Sequence, residues 1–399
     1  MSKKNDDFFK EKKAWSIAKD ELLGCYFKPY LQKILHTKRP IVYVDCFAGK
    51  GKFEDGLLGS PLIALEIIRE CLEQTKAETW HIKPYFIDVN YAADLQENLK
   101  EYSVIEIVDG KYEDNILPIL QDKTASNVFL YIDPYGIKAL DFSMFTSFSK
   151  RFSSIELLIN FNTFGFLREA CRVLGIQFKE TLLLSDLIEY DTTQLLPGEK
   201  SEEALNRIAG GNYWRKIVED YKSGLYDIYE AERRFAFTYC NTLRGSYKYV
   251  LNMPLRIKRG QVPKYRMIHV TNHPEGCIIM ADNIQDRWQY MENIQSGGQQ
   301  SLFEETPEND YIDDNALRDK VIENLSSTSQ WKHLSPIMAE FFTIYGPICK
   351  QVALRNIYLS LEASGNLEIK RKPPFTKTNR ESRFMEEKGD KSVEMRWRK

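Results

Sequence analysis

Apolar residues follow two alternating periods along the chain as far as about residue 161. Short runs rich in β-branched and aromatic residues predict buried strands, and longer segments with apolar residues three and four positions apart predict helices. The predicted strands are 41–47, 81–89, 104–110, 127–135 and 155–161, and the predicted helices are 8–36, 59–71, 91–102, 116–121 and 141–152. Strands separated by such helices form βαβ units, so we expect an α/β fold with a parallel sheet.

The pattern changes after the fifth predicted strand. Residues 165–243 are mostly helical in pattern and predict a helical insertion. Strand patterns over 246–257 and 264–272 flank the loop KRGQVP and predict an antiparallel hairpin. The polar stretch 294–310 is typical of a linker, so we expect one α/β domain over 1–293. Beyond the linker, 311–399 predicts helices followed by a strand-like segment, the order of a small winged-helix-like domain, with a basic tail.

Composition narrows the class of protein. Hydrophobic residues make up 43% and charged residues 28%, which is ordinary for a soluble globular chain. The net charge is -2, so nucleic-acid binding would have to come from local patches. The charged N-terminus lacks the apolar run of a signal peptide, and no apolar stretch approaches the length of a membrane helix. The seven scattered cysteines contain no CxxC pair, which predicts a cytoplasmic protein with reduced thiols and without a metal site.

A glycine-containing loop follows the first predicted strand, with the pattern D-x-F-x-G-x-G. Glycine lets the backbone turn under a ligand and approach it closely. The dinucleotide fingerprint would need glycine at Glu54, and a phosphate-binding loop would need lysine after Gly56. The pattern therefore favours a cofactor without phosphates, although a generic glycine turn stays an alternative. The candidate cofactor-binding residues are Asp45, Phe47, Gly49 and Gly51.

Two carboxylates end the next two predicted strands. Asp88 is suited to accept hydrogen bonds from ribose hydroxyls, and Asp109 is placed to reach an adenine amino group. The alternatives are a helix cap at Asp88 and an ordinary Asp-Gly turn at Asp109.

The fourth predicted strand ends in Asp133-Pro134-Tyr135-Gly136. This sequence resembles the D-P-P-Y motif of amine methyltransferases, with one proline replaced and the aromatic residue one place earlier. In such a motif the Asp side chain and the Pro carbonyl accept hydrogen bonds from the target amine, while the aromatic ring stacks on the base. A strand-terminating turn is the alternative. Asp133, Pro134 and Tyr135 are the candidate catalytic residues.

The order of these features is more informative than any one of them. They follow strands one to four, whose carboxyl ends form one edge of an open α/β sheet, where ligands bind. This favours a cofactor site, with S-adenosylmethionine as the candidate. A basic cluster surrounds the hairpin loop and is either a solvated face or a phosphate-binding surface. Its members are Arg256, Lys258, Arg259, Lys264 and Arg266. The basic segment 371–399 is equally compatible with a nucleic-acid contact and a tail.

The stretch DCFAGKGKFEDGLLGSPLIALE resembles the three-Cys-motif partner family. Further shared features are Asp133-Pro134-Tyr135-Gly136, Trp15 and Lys19 before the first strand, and the segment 271–274, so that the resemblance covers residues 15–292. It implies a Rossmann-like class I methyltransferase fold and a partner resembling radical-SAM proteins, which carries the three cysteines. Lys50 departs from the family pattern, where a small residue or proline is more frequent.

Together these observations predict an S-adenosylmethionine-dependent methyltransferase that acts on a nucleic acid, with the amine nitrogen of a base favoured, alongside the three-Cys-motif partner. A non-catalytic Rossmann-like subunit of a multi-protein system, such as a defence system, is the alternative. A methyltransferase for small molecules or proteins would leave the basic hairpin without a role. DNA and RNA stay equally open as substrates.

Overall fold

The computed structural model describes residues 6–75, 81–178, 199–256, 261–295, 312–326 and 329–398. The chain divides into two compact units at Asn272 and His273, and the end of the following helix, from Tyr290, groups with the first unit. The sequence pattern predicts the boundary at residue 293. No helix within the described ranges is long and apolar enough to cross a membrane.

A seven-stranded sheet forms the first unit, in the order β3-β2-β1-β4-β5-β7-β6. Strands β1 to β5 pair in parallel, and β7 runs antiparallel to both of its neighbours. The predicted parallel sheet and antiparallel hairpin are confirmed. The strands are β1 (Ile41–Asp45), β2 (Ile82–Asp88), β3 (Glu106–Asp109), β4 (Asn127–Ile132), β5 (Ser154–Phe161), β6 (Tyr249–Leu255) and β7 (Tyr265–Thr271).

One helix precedes the first strand and four others follow the parallel strands in alternation, as the hydrophobic periods predict. They are α1 (Ala14–Leu35), α2 (Ser60–Thr75), α3 (Ala92–Asn98), α4 (Tyr112–Leu120) and α5 (Phe142–Ser147). Helix α1 begins later than predicted, because Asp6–Phe9 forms a separate 3-10 turn. The start of α5 is fixed by Asp141, whose side chain accepts hydrogen bonds from the N–H groups of Ser143 and Met144.

Alternate residues of β4 pack into two layers, since successive side chains of a strand point to opposite faces. Phe129 lies with its ring centroid 5.2 Å from those of Phe27 and Tyr30 on α1. Val128 and Leu130 belong instead to the large buried cluster shared with the other helices. All six residues of β4 are buried, so this strand is the centre of the core.

The predicted helical insertion packs against the same face of the sheet as Val128 and Leu130. Its described helices are α6 (Thr163–Val173), α7 (Glu199–Ala209), α8 (Trp214–Ser223) and α9 (Ile228–Arg244). The rings of Phe166 on α6 and Phe235 on α9 stack with centroids 4.3 Å apart, and Phe235 also contacts Phe161 of β5. The insertion thus shares one core with the sheet.

The second unit consists of helices and a three-stranded antiparallel sheet in the order β8-β10-β9. Its elements are α10 (Pro274–Gln295), α11 (Asp314–Ser326), β8 (Lys332–His333), α12 (Leu334–Tyr345), α13 (Gln351–Ala363), β9 (Leu367–Lys372) and β10 (Ser392–Trp397). Helix α10 groups here because Cys277 is buried against α12 and Asp282 accepts hydrogen bonds from Gln351. Within the predicted basic segment, residues 392–397 form the central strand β10.

Candidate active site at the carboxyl edge of the sheet

The carboxyl ends of β1 to β4 bring four predicted features to one edge of the sheet. Asp45 at the end of β1 is in register with Tyr131 of β4, and Asp88 of β2 is in register with Asp109 of β3. The glycine loop and Asp133 directly follow β1 and β4. This juxtaposition is the geometry expected of an α/β ligand site.

Asp88 ties the glycine loop to the start of α3. Its Oδ2 accepts a hydrogen bond from the N–H of Gly49 at 2.9 Å, and its Oδ1 accepts from the N–H groups of Asn90 and Tyr91, each at 2.8 Å. Gly49 has φ +61°, in the left-handed region that glycine adopts most readily. A carboxylate offers about four acceptor positions, so Asp88 retains one for a further donor.

Asp45 lies beneath the loop and is fully buried. Its carboxylate accepts hydrogen bonds from the hydroxyl of Ser60 at 2.6 Å and from the N–H of Phe47 at 3.3 Å. Burial raises the pKa of Asp45 to about 7, although both hydrogen bonds lower it. Asp45 was predicted to contact a cofactor, but in the structure its carboxylate holds Ser60 and the backbone of Phe47 beneath the loop.

Gly51 and Phe47 also serve the packing of the loop. Gly51 has φ +77°, and a Cβ added there would come within 2.9 Å of Leu95 on α3. The glycine is thus required by the approach of α3, whereas the prediction assigned it to a ligand. Phe47 is half-buried, with its ring centroid 5.4 Å from that of Tyr112 on α4.

The turn Asp6–Phe9 covers the loop, which the sequence pattern did not predict. A Cβ added to Gly49 would lie 3.0 Å from the ring of Phe9, and the carbonyl of Phe9 accepts a hydrogen bond from the N–H of Glu54 at 2.8 Å. The Lys50 ammonium lies 5.3 Å from the ring centroids of both Phe9 and Tyr91. The hydrophobic pair Phe8-Phe9 before a charged segment is the sequence feature that could have indicated it.

Asp133 is held by three side chains. Lys19 on α1 donates to both of its oxygens, at 2.9 and 2.7 Å. Asn160 on β5 donates to Oδ1 at 2.6 Å, and the hydroxyl of Tyr131 donates to Oδ2 at 3.4 Å. These bonds use about all the acceptor positions of the carboxylate. In the sequence, Lys19 is a feature shared with the three-Cys-motif partner family, and it was not among the predicted site residues.

The remaining residues of the two motifs differ in exposure. Pro134 is buried, whereas the Tyr135 side chain is 64% exposed beside Gly136, which has φ +98°. Asp109 is exposed at the end of β3. Among the predicted site residues that the structure describes, Tyr135 and Asp109 are therefore the exposed ones.

A second buried ion pair joins α1 to the same edge. The Lys12 ammonium lies 2.6 Å from Asp20 Oδ2 and donates to the carbonyl of Leu58 at 2.6 Å. Burial raises the pKa of Asp20 to about 6, against the opposing effect of Lys12. The start of α1, the glycine loop and the end of β4 are thus linked by buried charges. Within the described residues, no group of His, Cys, Asp or Glu side chains is placed to hold a metal ion.

Three of the five predicted cations of the basic hairpin lie within the described residues. Arg266 makes a paired contact with Glu232 on α9 and donates to Asn252 at 2.9 Å. Arg256 is half-buried, where desolvation lowers its pKa to about 10, and it donates to a backbone carbonyl. Lys264 is buried. Arg266 is thus turned toward a buried acid of the insertion, and neither Arg256 nor Lys264 is exposed, so the structure does not bring these three cations to the solvent as a common surface. Lys258 and Arg259 lie outside the described residues.

No protein-family model and no curated protein matches the chain. One similar solved structure is the plantazolicin methyltransferase BamL in complex with a triazolic desmethylPZN analog and SAH, at 11% identity, 67% coverage of this chain, 90% of that chain and a TM-score of 0.31. Another is a putative sarcosine dimethylglycine methyltransferase from Galdieria sulphuraria. It is 9% identical, the match covers 61% of this chain and 84% of that chain, and the TM-score is 0.25.

Proposed function

We propose that the chain is an S-adenosylmethionine-dependent methyltransferase. The observation that carries this proposal is the carboxyl edge of a sheet ordered β3-β2-β1-β4-β5-β7-β6. That edge brings a left-handed glycine, Gly49, next to the strand-end acids Asp88 and Asp109, with the Asp133 motif on the neighbouring strand.

The residues at the edge fit this cofactor. Asp88 keeps one acceptor position for a ribose hydroxyl, and exposed Asp109 is available to an adenine amino group. At Gly49 the backbone can be approached without a Cβ. When bound, S-adenosylmethionine supplies an electrophilic methyl group. The ring of Phe9 touches the side of Gly49 where a Cβ would project, so the turn Asp6–Phe9 bears directly on cofactor access.

The proposed substrate is a nucleic acid, with an amine nitrogen of a base as the favoured target. The Asp133-Pro134-Tyr135 sequence and the exposed ring of Tyr135, which can stack on a base, support this choice. An amine that contacts Asp133 must displace one of its present donors, since the carboxylate is already saturated. Methyl transfer then depends chiefly on in-line positioning of the nitrogen.

Two further elements of the proposal concern the second unit and a partner. The element order from α11 to β10, helix, strand, two helices and two strands, supports a winged-helix-like unit, as does its sheet order. The resemblance to the three-Cys-motif partner family supports joint action with a radical-SAM-like protein that carries three cysteines.

A non-catalytic binding subunit is the second candidate function. Its support is that Gly49 is covered by Phe9 and that Asp133 is saturated within the chain. In this case the fold presents a surface to a partner without turnover.

Calorimetric titration of the full chain with S-adenosylmethionine separates the two candidates. We expect the wild type to bind and the Gly49→Val variant not to bind, because the added side chain meets the ring of Phe9 and must displace it across the loop that is proposed to contact the cofactor. Gly175→Val is the matched control. Gly175 is also left-handed, at φ +62°, but an added Cβ there meets nothing within 4 Å. Absence of binding by the wild type at millimolar cofactor would remove the enzyme proposal and support the binding subunit.

A further inference from the structure

The connection between β9 and β10 begins with the most basic exposed stretch of the second unit. Residues 370–383 read KRKPPFTKTNRESR, with six lysines and arginines and one glutamate, in a chain whose net charge is -2. Residues 372–381 are all exposed. The sequence alone left the basic segment 371–399 open between a nucleic-acid contact and a tail, and the structure now distinguishes its parts.

The exposed stretch is folded as a turn. The N–H of Thr376 donates to the carbonyl of Arg380 at 2.8 Å, and the N–H of Asn379 donates to the carbonyl of Thr376 at 2.9 Å. The N–H of Ser382 closes the base of the turn by donating to the carbonyl of Pro374 at 2.8 Å. Asn379 occupies the left-handed region at φ +56°, which asparagine tolerates better than most residues. We call residues 372–383 the cationic turn.

Ion pairing differs sharply between the strands and the cationic turn. On the strands, Arg371 pairs with Glu362 at 2.7 Å and Arg396 pairs with Glu368 at 2.7 Å. In the cationic turn four basic side chains make no ion pair within the part of the chain that the structure describes. They are Lys372, Lys377, Arg380 and Arg383. Arg371 and Arg396 are thus neutralised by the fold, and Lys370 lies over the ring of Trp331, with its Nζ 3.9 Å from the ring centroid. The four cations of the turn have no such acidic partner among the described residues, so their charge is available to an external anion.

The cationic turn also presents an aromatic ring. Phe375 is 53% exposed and lies in the sequence between Lys372 and Lys377, directly before Thr376. Cations that track a phosphate backbone, combined with an aromatic side chain on which a base stacks, are the features of single-stranded nucleic-acid binding. An acidic peptide would use the cations but would leave the ring without a function.

We propose that the cationic turn binds a polynucleotide, with Lys372, Lys377, Arg380 and Arg383 on phosphates and Phe375 stacked on an unpaired base. This moves the nucleic-acid surface from the hairpin to the second unit. It rests on the nucleic-acid part of the proposed function. Binding is measured without methyl transfer or cofactor, so this inference and the enzyme proposal can fail separately.

The test measures how oligonucleotide binding by the full chain depends on salt concentration. Fluorescence anisotropy reports the binding of a labelled single strand and of a labelled duplex of equal length. Replacing Lys372, Lys377, Arg380 and Arg383 together by alanine removes four phosphate contacts. The slope of log affinity against log salt for the single strand should then fall by about 3 units, since each contact releases about 0.7 counterion. Circular dichroism checks that the variant, changed only at exposed positions, stays folded.

A control variant removes the same charge from the first unit. Its four exposed positions are Arg39, Lys150, Lys222 and Lys248, each replaced by alanine. This variant should keep the wild-type slope. Equal losses in both variants would overturn the proposal, because they would reflect total charge instead of a local surface.

The ring is tested on its own by Phe375→Leu, which keeps an apolar side chain of similar bulk. We expect about tenfold weaker binding to the single strand, and a much smaller effect on the duplex, whose bases are already stacked. Unchanged single-strand affinity in this variant would remove Phe375 from the site. Wild-type chain that binds no oligonucleotide, or that binds polyglutamate equally well through the same four cations, would overturn the nucleic-acid assignment.

Discussion

The ammonium of Lys19 lies 2.9 and 2.7 Å from the two carboxylate oxygens of Asp133. Lys19 is on α1 and Asp133 follows β4, and their side chains are only 8% and 19% exposed. Asn160 fixes the same carboxylate from β5. The pair therefore attaches the first helix to the edge of the sheet at the residue proposed to orient the substrate.

Removing one member of this pair should destabilise the fold, because the other charge stays buried without a partner. We expect Lys19→Met and Asp133→Asn each to lower the free energy of unfolding by about 2–5 kcal/mol, as measured by urea denaturation. The double variant should lose less than the sum of the two. The control is the solvent-accessible pair Lys28 and Glu70, for which the corresponding changes should leave the free energy of unfolding almost unchanged, because water screens the two charges. Additive losses for Lys19 and Asp133 would contradict a coupled pair.

Asp133→Asn should also retain S-adenosylmethionine binding and lose methyl transfer, since its carboxylate is proposed to orient the target and not the cofactor. Calorimetry measures the first quantity, and transfer of labelled methyl groups to an oligonucleotide measures the second. Loss of both together would assign Asp133 to cofactor binding or to stability alone.

The buried carboxyl of Asp45 should make the fold less stable as the pH rises from about 4 to about 7. Burial raises its pKa from 3.8 to about 7, so the folded state binds the proton more strongly than the unfolded state does. Stability from this group is present below the unfolded pKa and is lost as the pH increases through the folded pKa. Asp45→Asn should therefore show a smaller loss of unfolding free energy between pH 5 and pH 7.5 than the wild type.

Asp55→Asn is the control for this pH dependence. Asp55 has a lowered pKa because it accepts a backbone hydrogen bond from Lys12, so it is ionised in both states throughout that window. Its replacement should leave the slope between pH 5 and pH 7.5 unchanged. The same slope in Asp45→Asn as in the wild type would show that Asp45 titrates like an exposed carboxyl.

Phe9→Ala should increase the affinity for S-adenosylmethionine, because it removes the ring that lies 3.0 Å from the position of a Cβ at Gly49. Phe53→Ala is the matched control, since Phe53 belongs to the same small buried cluster, whereas the ring nearest to Gly49 is that of Phe9. Both variants lose packing, so only the difference in calorimetric affinity is informative. A weaker affinity in Phe9→Ala would instead make Phe9 a wall of the cofactor site.

Arg266→Met should destabilise the protein without changing how salt affects oligonucleotide binding. The change leaves Glu232 buried and without its guanidinium partner, which we expect to lower the unfolding free energy by about 3–5 kcal/mol. Adding Glu232→Gln to the variant should recover part of that loss. A reduced salt slope in a folded Arg266→Met variant would return the hairpin to the nucleic-acid surface.

The sequence by itself determined the elements of the first unit and the edge at which the site lies. Its strands are continuous apolar runs because both faces are covered by helices, so that each run is visible without knowledge of its neighbours. The placement of Asp88, Asp109 and Asp133 at one edge followed as well, because the carboxyl ends of parallel strands meet there.

The roles of individual side chains were decided by the tertiary structure. Lys19 and Asp133 are separated by 114 residues, and Arg266 and Glu232 by 34, so no local period or spacing connects them. Likewise β10 is a single short strand whose partners, β8 and β9, come from distant parts of the second unit. A charged residue in a sequence is the same whether it is solvated or buried. Long-range packing places the acid Glu232 against Arg266 and leaves Arg380 exposed, and this difference cannot be seen in the sequence around either arginine.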